Sequence, residues 1–131
     1  MNRQSLQRTR TTVQLILNGS ESHDTEVVLY TGMTAGKDIP KGVIDSGETL
    51  RRVLGELGYQ CPVIDLKRHL AILIPSRDSQ CVRMSVDALV FKKGLFQDAI
   101  VTRYMKAGQP TGAFALVSLD KSAVETISVA E

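Results

Sequence analysis

The chain has no tryptophan and only six other aromatics, three Tyr and three Phe, among 131 residues. A broad stacking platform for nucleic-acid bases is therefore poorly supplied. Cysteine is scarce: Cys61 and Cys81 cannot make a disulfide scaffold. Both lie in apolar stretches and read as buried free thiols in a reducing compartment. No apolar run approaches the roughly 20 residues of a spanning helix, so a transmembrane helix is not expected. The chain opens on the polar run MNRQSLQRTRTT rather than on an apolar signal core, and a cytoplasmic protein is the expectation. An excess of one charge is missing too. Sixteen Lys+Arg against fourteen Asp+Glu leave a formal net charge of +2, which implies no partner by itself.

What is present is an ordinary globular composition, 43% hydrophobic and 23% charged, in a length that suits one domain. The charges are unevenly placed. Arg3, Arg8 and Arg10 precede the first acid, Glu21, and define a basic arm over residues 1–12 that suits phosphate or an acidic partner. A single domain is then expected over residues 13–131. From Lys67 to Lys106 there are eight Lys/Arg against three Asp, a stretch that favours an anionic ligand.

Periodicity supplies the elements. Thr11–Leu17, with Val13, Leu15 and Leu17 on one face, and Thr25–Thr31 read as a hairpin around Asn18-Gly19. Residues 32–42 carry three glycines and Pro40 and read as a loop. Leu50, Val53, Leu54 and Leu57 fall at helical spacing, and Gly58 stands where a C-terminal cap belongs. Cys61–Leu66 and His69–Ile74 read as strands. Gln80–Phe91 alternates, with Val82, Met84, Val86, Ala88 and Val90 facing one way. Leu95–Met105 reads as a helix, with a strand across Ala99–Tyr104 as the alternative. Ala113–Val117 is a strand, and Ser118 caps a last helix through Ile127. The expected fold class is α+β, a single-domain mixed or antiparallel sheet with short helices. One core is expected to bury Val13, Leu15, Leu54, Leu57, Ile72, Val86 and Phe114.

The segment that carries chemistry is IPKGVIDSGETLRRVLGELGY, residues 39–59. Glu48 opens a helix and Glu56 lies eight residues on, close to the same face. Two such carboxylates suit one oxygen-loving cation, with Glu48 and Glu56 as the metal ligands. Lys37, just before the segment, and Lys41, within it, are contacts for an anion. Gly42 and Glu48, then Arg51, Val53, Glu56, Gly58 and Tyr59, match positions of the Nudix box, and the segment resembles the Nudix hydrolase family. The resemblance implies an α/β/α sandwich, Mg²⁺, and binding of a nucleoside diphosphate derivative or an RNA end. It casts Glu48, Glu56 and Arg51 as the catalytic set; Lys37, Lys41 and Arg83 are the phosphate contacts. Five residues of the family spacing are missing, Arg52 stands in place of an acid and Gly55 in place of another. Weak or undetectable phosphoanhydride hydrolysis is expected on that account. The alternative function is a non-enzymatic nucleic-acid-binding or assembly subunit, of a viral or phage particle or another large complex. In it Arg3, Arg8 and Arg10 engage a partner, and self-association is expected.

Overall fold

The computed structural model describes residues 3–18, 21–108 and 112–124. It is mostly β, 57% strand and 12% helix, built on a curled, mixed, seven-stranded half-barrel sheet. Chain order is β1 (Gln7–Leu17), β2 (Glu21–Met33), β3 (Gly42–Ile44), α1 (Gly47–Glu56), β4 (His69–Pro75), β5 (Cys81–Lys92), β6 (Leu95–Met105) and β7 (Ala113–Asp120). Across the sheet the order is β3-β4-β7-β2-β1-β5-β6. β1 runs parallel to β5, and the other neighbouring strands are antiparallel.

This corrects the expected α+β fold and its α/β/α sandwich. A sandwich needs helices on both faces of a sheet. Here one face curls on itself and only the other carries a helix of more than one turn among the described residues. The concave face gathers Val13, Leu15, Leu17, Val27, Leu29, Ile72, Val86, Leu89, Phe91 and Val117 into a core of its own. The convex face, over β4, β7 and β2, buries Tyr30, Ala71, Leu73, Phe114 and Leu116 under Leu50, Val53 and Leu54 of α1 and under Tyr59. The expected single core is therefore two cores on opposite faces of one sheet. Its expected members are buried except Leu57, which is only half-buried because it is the C-cap of α1.

Three further expectations change. Leu95–Met105 is a strand over its whole length, and its exposed and half-buried residues alternate from Asp98 to Thr102. Residues 61–66 are not a strand: Pro62 interrupts them, and Cys61, Ile64 and Leu66 fold over the convex core while Val63 stands 99% exposed. β7 runs through Ser118 to Asp120, whose carboxylate accepts from the Ser122 N–H and starts a single helical turn at residues 121–124. The rest of the expected last helix lies outside the described residues.

In β5 the alternation slips. Met84 and Val86 face the concave core, but beyond Asp87 the inward positions are Leu89 and Phe91. Val86 is opposite Val101 and Ala88 opposite Ile100, so Asp87 is an extra residue, a bulge. Such bulges sharpen twist and bend the strand pair, which helps the sheet curl. The curl brings the two ends of the sheet together: Lys41, just before β3, pairs with Asp98 on β6.

α1 is closed at both ends by its own sequence. Ser46 is the N-cap and its hydroxyl accepts from the Thr49 N–H. At the other end the Gly58 N–H reaches the Gly55 carbonyl (3.1 Å) and the Tyr59 N–H reaches Leu54 (2.9 Å), with Gly58 at φ +87°. This is the Schellman arrangement, and the left-handed residue at its centre favours glycine. The boundary expected at residue 12 falls inside β1, where Arg8 and Arg10 stand opposite Tyr30 and Val28. The start of the described chain is tied down as well: Gln4 bridges to Tyr59, and its N–H donates to the Gly58 carbonyl (3.0 Å).

Candidate functional site

The residues singled out from the sequence do not converge. Glu48 and Glu56 are both exposed, one in the first turn of α1 and the other its last residue. Eight residues at about 1.5 Å rise put their backbones roughly 12 Å apart along the axis. Among the described residues no cluster of three or more His, Cys, Asp and Glu is placed to hold a metal ion. The Arg51 guanidinium lies against Gly47 at the start of its own helix. It also faces Cys61, where burial pushes the thiol up despite the nearby cation, so Cys61 stays protonated at neutral pH.

The expected phosphate contacts are engaged separately. Lys37 Nζ donates to the main-chain carbonyl of Glu56 (2.7 Å), which places a cation at the C-terminal end of α1. Lys41 pairs with Asp98 across the seam of the sheet. The Arg83 guanidinium lies 4.3 Å from the centroid of the Tyr104 ring on the neighbouring strand. Of the basic arm, the Arg3 side chain approaches Gly55 on α1, and Arg10 comes within 4.0 Å of Glu26 on β2. The basic stretch of the second half does not form one patch. Arg77 precedes β5 while Lys92 and Lys93 stand at its far end, and the strand between them has a contour of roughly 36 Å, eleven rises of about 3.3 Å.

Two other features do converge. At one end of the sheet, the loops after β2, after β4 and before β7 enclose a cavity of about 190 Å³. Lys37, Asp38, Ser76, Arg77 and Asp78 line it. Ser76 is buried, and its hydroxyl is engaged with the backbone of Asp78.

The second is the free edge of β6. Its hydrogen-bonded neighbour on one side is β5, and among the described residues no strand is hydrogen-bonded to its other side, where Lys41 and β3 approach the start of the strand. Six large hydrophobic residues are exposed among the described residues, and four belong to this strand: Leu95 (67%), Ile100 (50%), Tyr104 (43%) and Met105 (50%). Ala99 and Val101 pack inward on the concave core, so Asp98, Ile100, Thr102 and Tyr104 form the outward row. The irregularities that commonly protect an edge lie elsewhere. One extra residue, Gln97, interrupts β6 near its start, and the remaining bulges are on β5. From Asp98 to Met105 the edge is unbroken. Beside its start, Val43 of β3 and Leu95 and Phe96 of β6 line a cleft of about 460 Å³.

The sequence did not single out this edge. A segment of Leu, Phe, Ala, Ile and Met at mixed spacing satisfies a helix as readily as a strand, and edge position is a property of topology. The clue available was Ile100-Val101-Thr102, β-branched residues that favour a strand. No family model, no curated protein and no solved structure matches the chain. No helix among the described residues is long and apolar enough to cross a membrane.

Proposed function

We propose that the chain is an assembly module that takes a protein partner by strand addition at the free edge of β6. One observation carries this reading: the unbroken edge from Asp98 to Met105, where the exposed large hydrophobics of the described residues are concentrated. An edge of that length presents unpaired N–H and C=O groups as a template for another strand. Main-chain hydrogen bonds supply affinity, and the outward row of Ile100, Thr102 and Tyr104 supplies side-chain selectivity. The test is site-specific photo-crosslinking in cells expressing the full chain. A photoreactive residue at Ile100 or Tyr104 forms a discrete protein adduct, and one at Glu48 or Thr12, exposed away from the edge, does not. Equal labelling from all four positions, or none from β6, overturns the reading.

A second reading, binding of a nucleoside diphosphate derivative, is favoured by the cavity at the loop end. There Arg77 brings a cationic residue to the lining beside Ser79, while the Lys37 ammonium is held by the Glu56 carbonyl. Titration calorimetry with ADP tests it. Arg77→Ala weakens binding if the cavity holds the phosphates, and an unchanged affinity removes the reading.

A further inference from the structure

The edge of β6 carries a pattern that is complementary to itself. Resting on the strand-addition reading, we infer that the partner is a second copy of this chain, paired antiparallel, β6 against β6, about a two-fold axis through Thr102.

The symmetry limits the registers. A two-fold axis normal to the sheet leaves the outward row outward in both copies. Residues facing each other must then have the same parity along the strand. Within the unbroken run, four centres are available, Ile100, Val101, Thr102 and Arg103, and the last sets a cation against its own copy. Centring on Ile100 extends the pairing back through Gln97, where the extra residue breaks the alternation. Centring on Val101 sets Asp98 against Tyr104 and Ile100 against Thr102, which matches neither charge nor apolar surface. Centring on Thr102 sets Asp98 against Lys106, Ile100 against Tyr104, and Thr102 against itself. These are an opposite-charge pair, a β-branched–aromatic pair and a Thr–Thr pair, combinations that stabilise facing strands.

The flanking structure suits this register. The Lys106 N–H donates to the Gln80 carbonyl (2.9 Å), so the backbone stays beside β5 one residue past the strand. The Asp98 carboxylate accepts both Lys41 and the Ala99 N–H through Oδ1, and in this register Lys106 of the second copy shares that carboxylate with Lys41. The Thr102 hydroxyl donates to Asp87 on β5 (2.6 Å) and retains acceptor capacity toward its counterpart. Asp98 and Lys106 lie on opposite sides of Thr102, so antiparallel pairing matches unlike charges and parallel pairing stacks like ones. Two half-barrel sheets then join into one continuous sheet.

The experiment is sedimentation equilibrium over a concentration series, with cysteine crosslinking to read the register. The full chain dimerises with concentration. Thr102→Cys gives an intermolecular disulfide under mild oxidation, while Ile100→Cys alone does not. Ile100→Cys mixed with Tyr104→Cys does. Lys106→Glu lowers dimer affinity at least tenfold at low salt, and circular dichroism verifies that each variant is folded. A chain that stays monomeric, or a dimer indifferent to Lys106→Glu whose Thr102→Cys form does not crosslink, overturns the inference. The photo-adducts separate this failure from failure of strand addition itself. A β6 adduct mapping to residues 98–106 of the chain supports both. One mapping to another protein overturns self-pairing alone, and absence of any β6 adduct overturns both.

Discussion

Lys41 and Asp98 stand at opposite ends of a seven-stranded sheet and form an ion pair with each other. Lys41 precedes the edge strand β3, and Asp98 lies on the edge strand β6. The pair spans the seam of the half-barrel. The Lys41 hydrogen bond, and after it the Ala99 N–H, hold the Asp98 carboxyl below its ordinary value of 3.8. The stability that Asp98 contributes is therefore present in full above that ordinary value. It disappears as pH falls through the lower folded value. Both side chains are substantially exposed, so the contribution is at most about 1 kcal/mol and is screened by salt. Carboxyl NMR titration checks this. Asp98 titrates below the ordinary value in the parent chain and moves back toward it in Lys41→Ala. An ordinary value in the parent would remove the seam pair.

Gly32 sits where three side chains meet. A Cβ there would stand 2.8 Å from Leu6 Cδ2, 2.8 Å from Tyr59 Cζ and 2.9 Å from Phe114 Cε1. These contacts hold the start of the chain and Tyr59 against the convex face, where the Tyr59 hydroxyl accepts from the Met33 N–H (2.8 Å). Tyr59 and Phe114 also meet edge to face, ring centroids 5.8 Å apart. Gly32→Ala forces at least one of these groups to move and costs about 1–3 kcal/mol, as overpacking does. Urea denaturation reads the cost, and a change below the error of the measurement contradicts the close approach.

Leu54 and Leu57 looked equivalent in the helical spacing, and the structure separates them. Leu54 is fully buried beneath α1, whereas Leu57 caps the helix and is half-buried. Leu54→Ala is expected to cost about 2–5 kcal/mol and Leu57→Ala clearly less, because truncation at a partly exposed site leaves a smaller cavity. Equal losses in chemical denaturation would place both side chains in the same environment.

The legible parts of the fold were those decided by local chemistry. Ser46, the spacing of Leu50, Val53 and Leu54, and Gly58 act within a few residues of each other, and α1 follows from them. The alternation of Val13, Leu15 and Leu17 likewise marks β1. What was lost depends on partners distant in the chain. Leu95–Met105 becomes a strand because β5 offers it a ladder, and the Asp87 bulge reverses the inward face of β5 partway along. Thr25–Thr31 extends back to Glu21 because β1 pairs with it there, and on to Met33 because β7 does. The candidate site suffered in the same way. Spacing placed Glu48 and Glu56 on one side of a helix, yet the same eight residues at about 1.5 Å each already set them roughly 12 Å apart along its axis; what spacing could not reveal is which strand would be left on the edge.

That axial distance carries the last prediction. A metal-dependent hydrolase brings several carboxylates to one or two divalent cations and keeps a position open for phosphate and water. Mg²⁺ demands ligands at about 2.0–2.1 Å in a near-octahedral arrangement. Glu48 in the first turn and Glu56 at the end of α1 are roughly 12 Å apart along the axis. One ion holding both would need two fully extended side chains aimed at each other along the axis, whereas helical side chains project outward and lean toward the N-terminus. The positions between them do not help: Arg52 is cationic and Gly55 has no side chain, while Arg51 lies against Gly47. Lys37 holds a cation at the Glu56 end, which raises the local potential against a further one. Hydrolysis of nucleoside diphosphate derivatives, dinucleotides or capped RNA with Mg²⁺ or Mn²⁺ is therefore expected to stay at the level of a no-enzyme control. Glu48→Gln and Glu56→Gln should leave that level unchanged and shift thermal stability only slightly, since both side chains are exposed. Robust turnover that disappears in Glu56→Gln would show instead that the helix rearranges to bring its two carboxylates onto one metal.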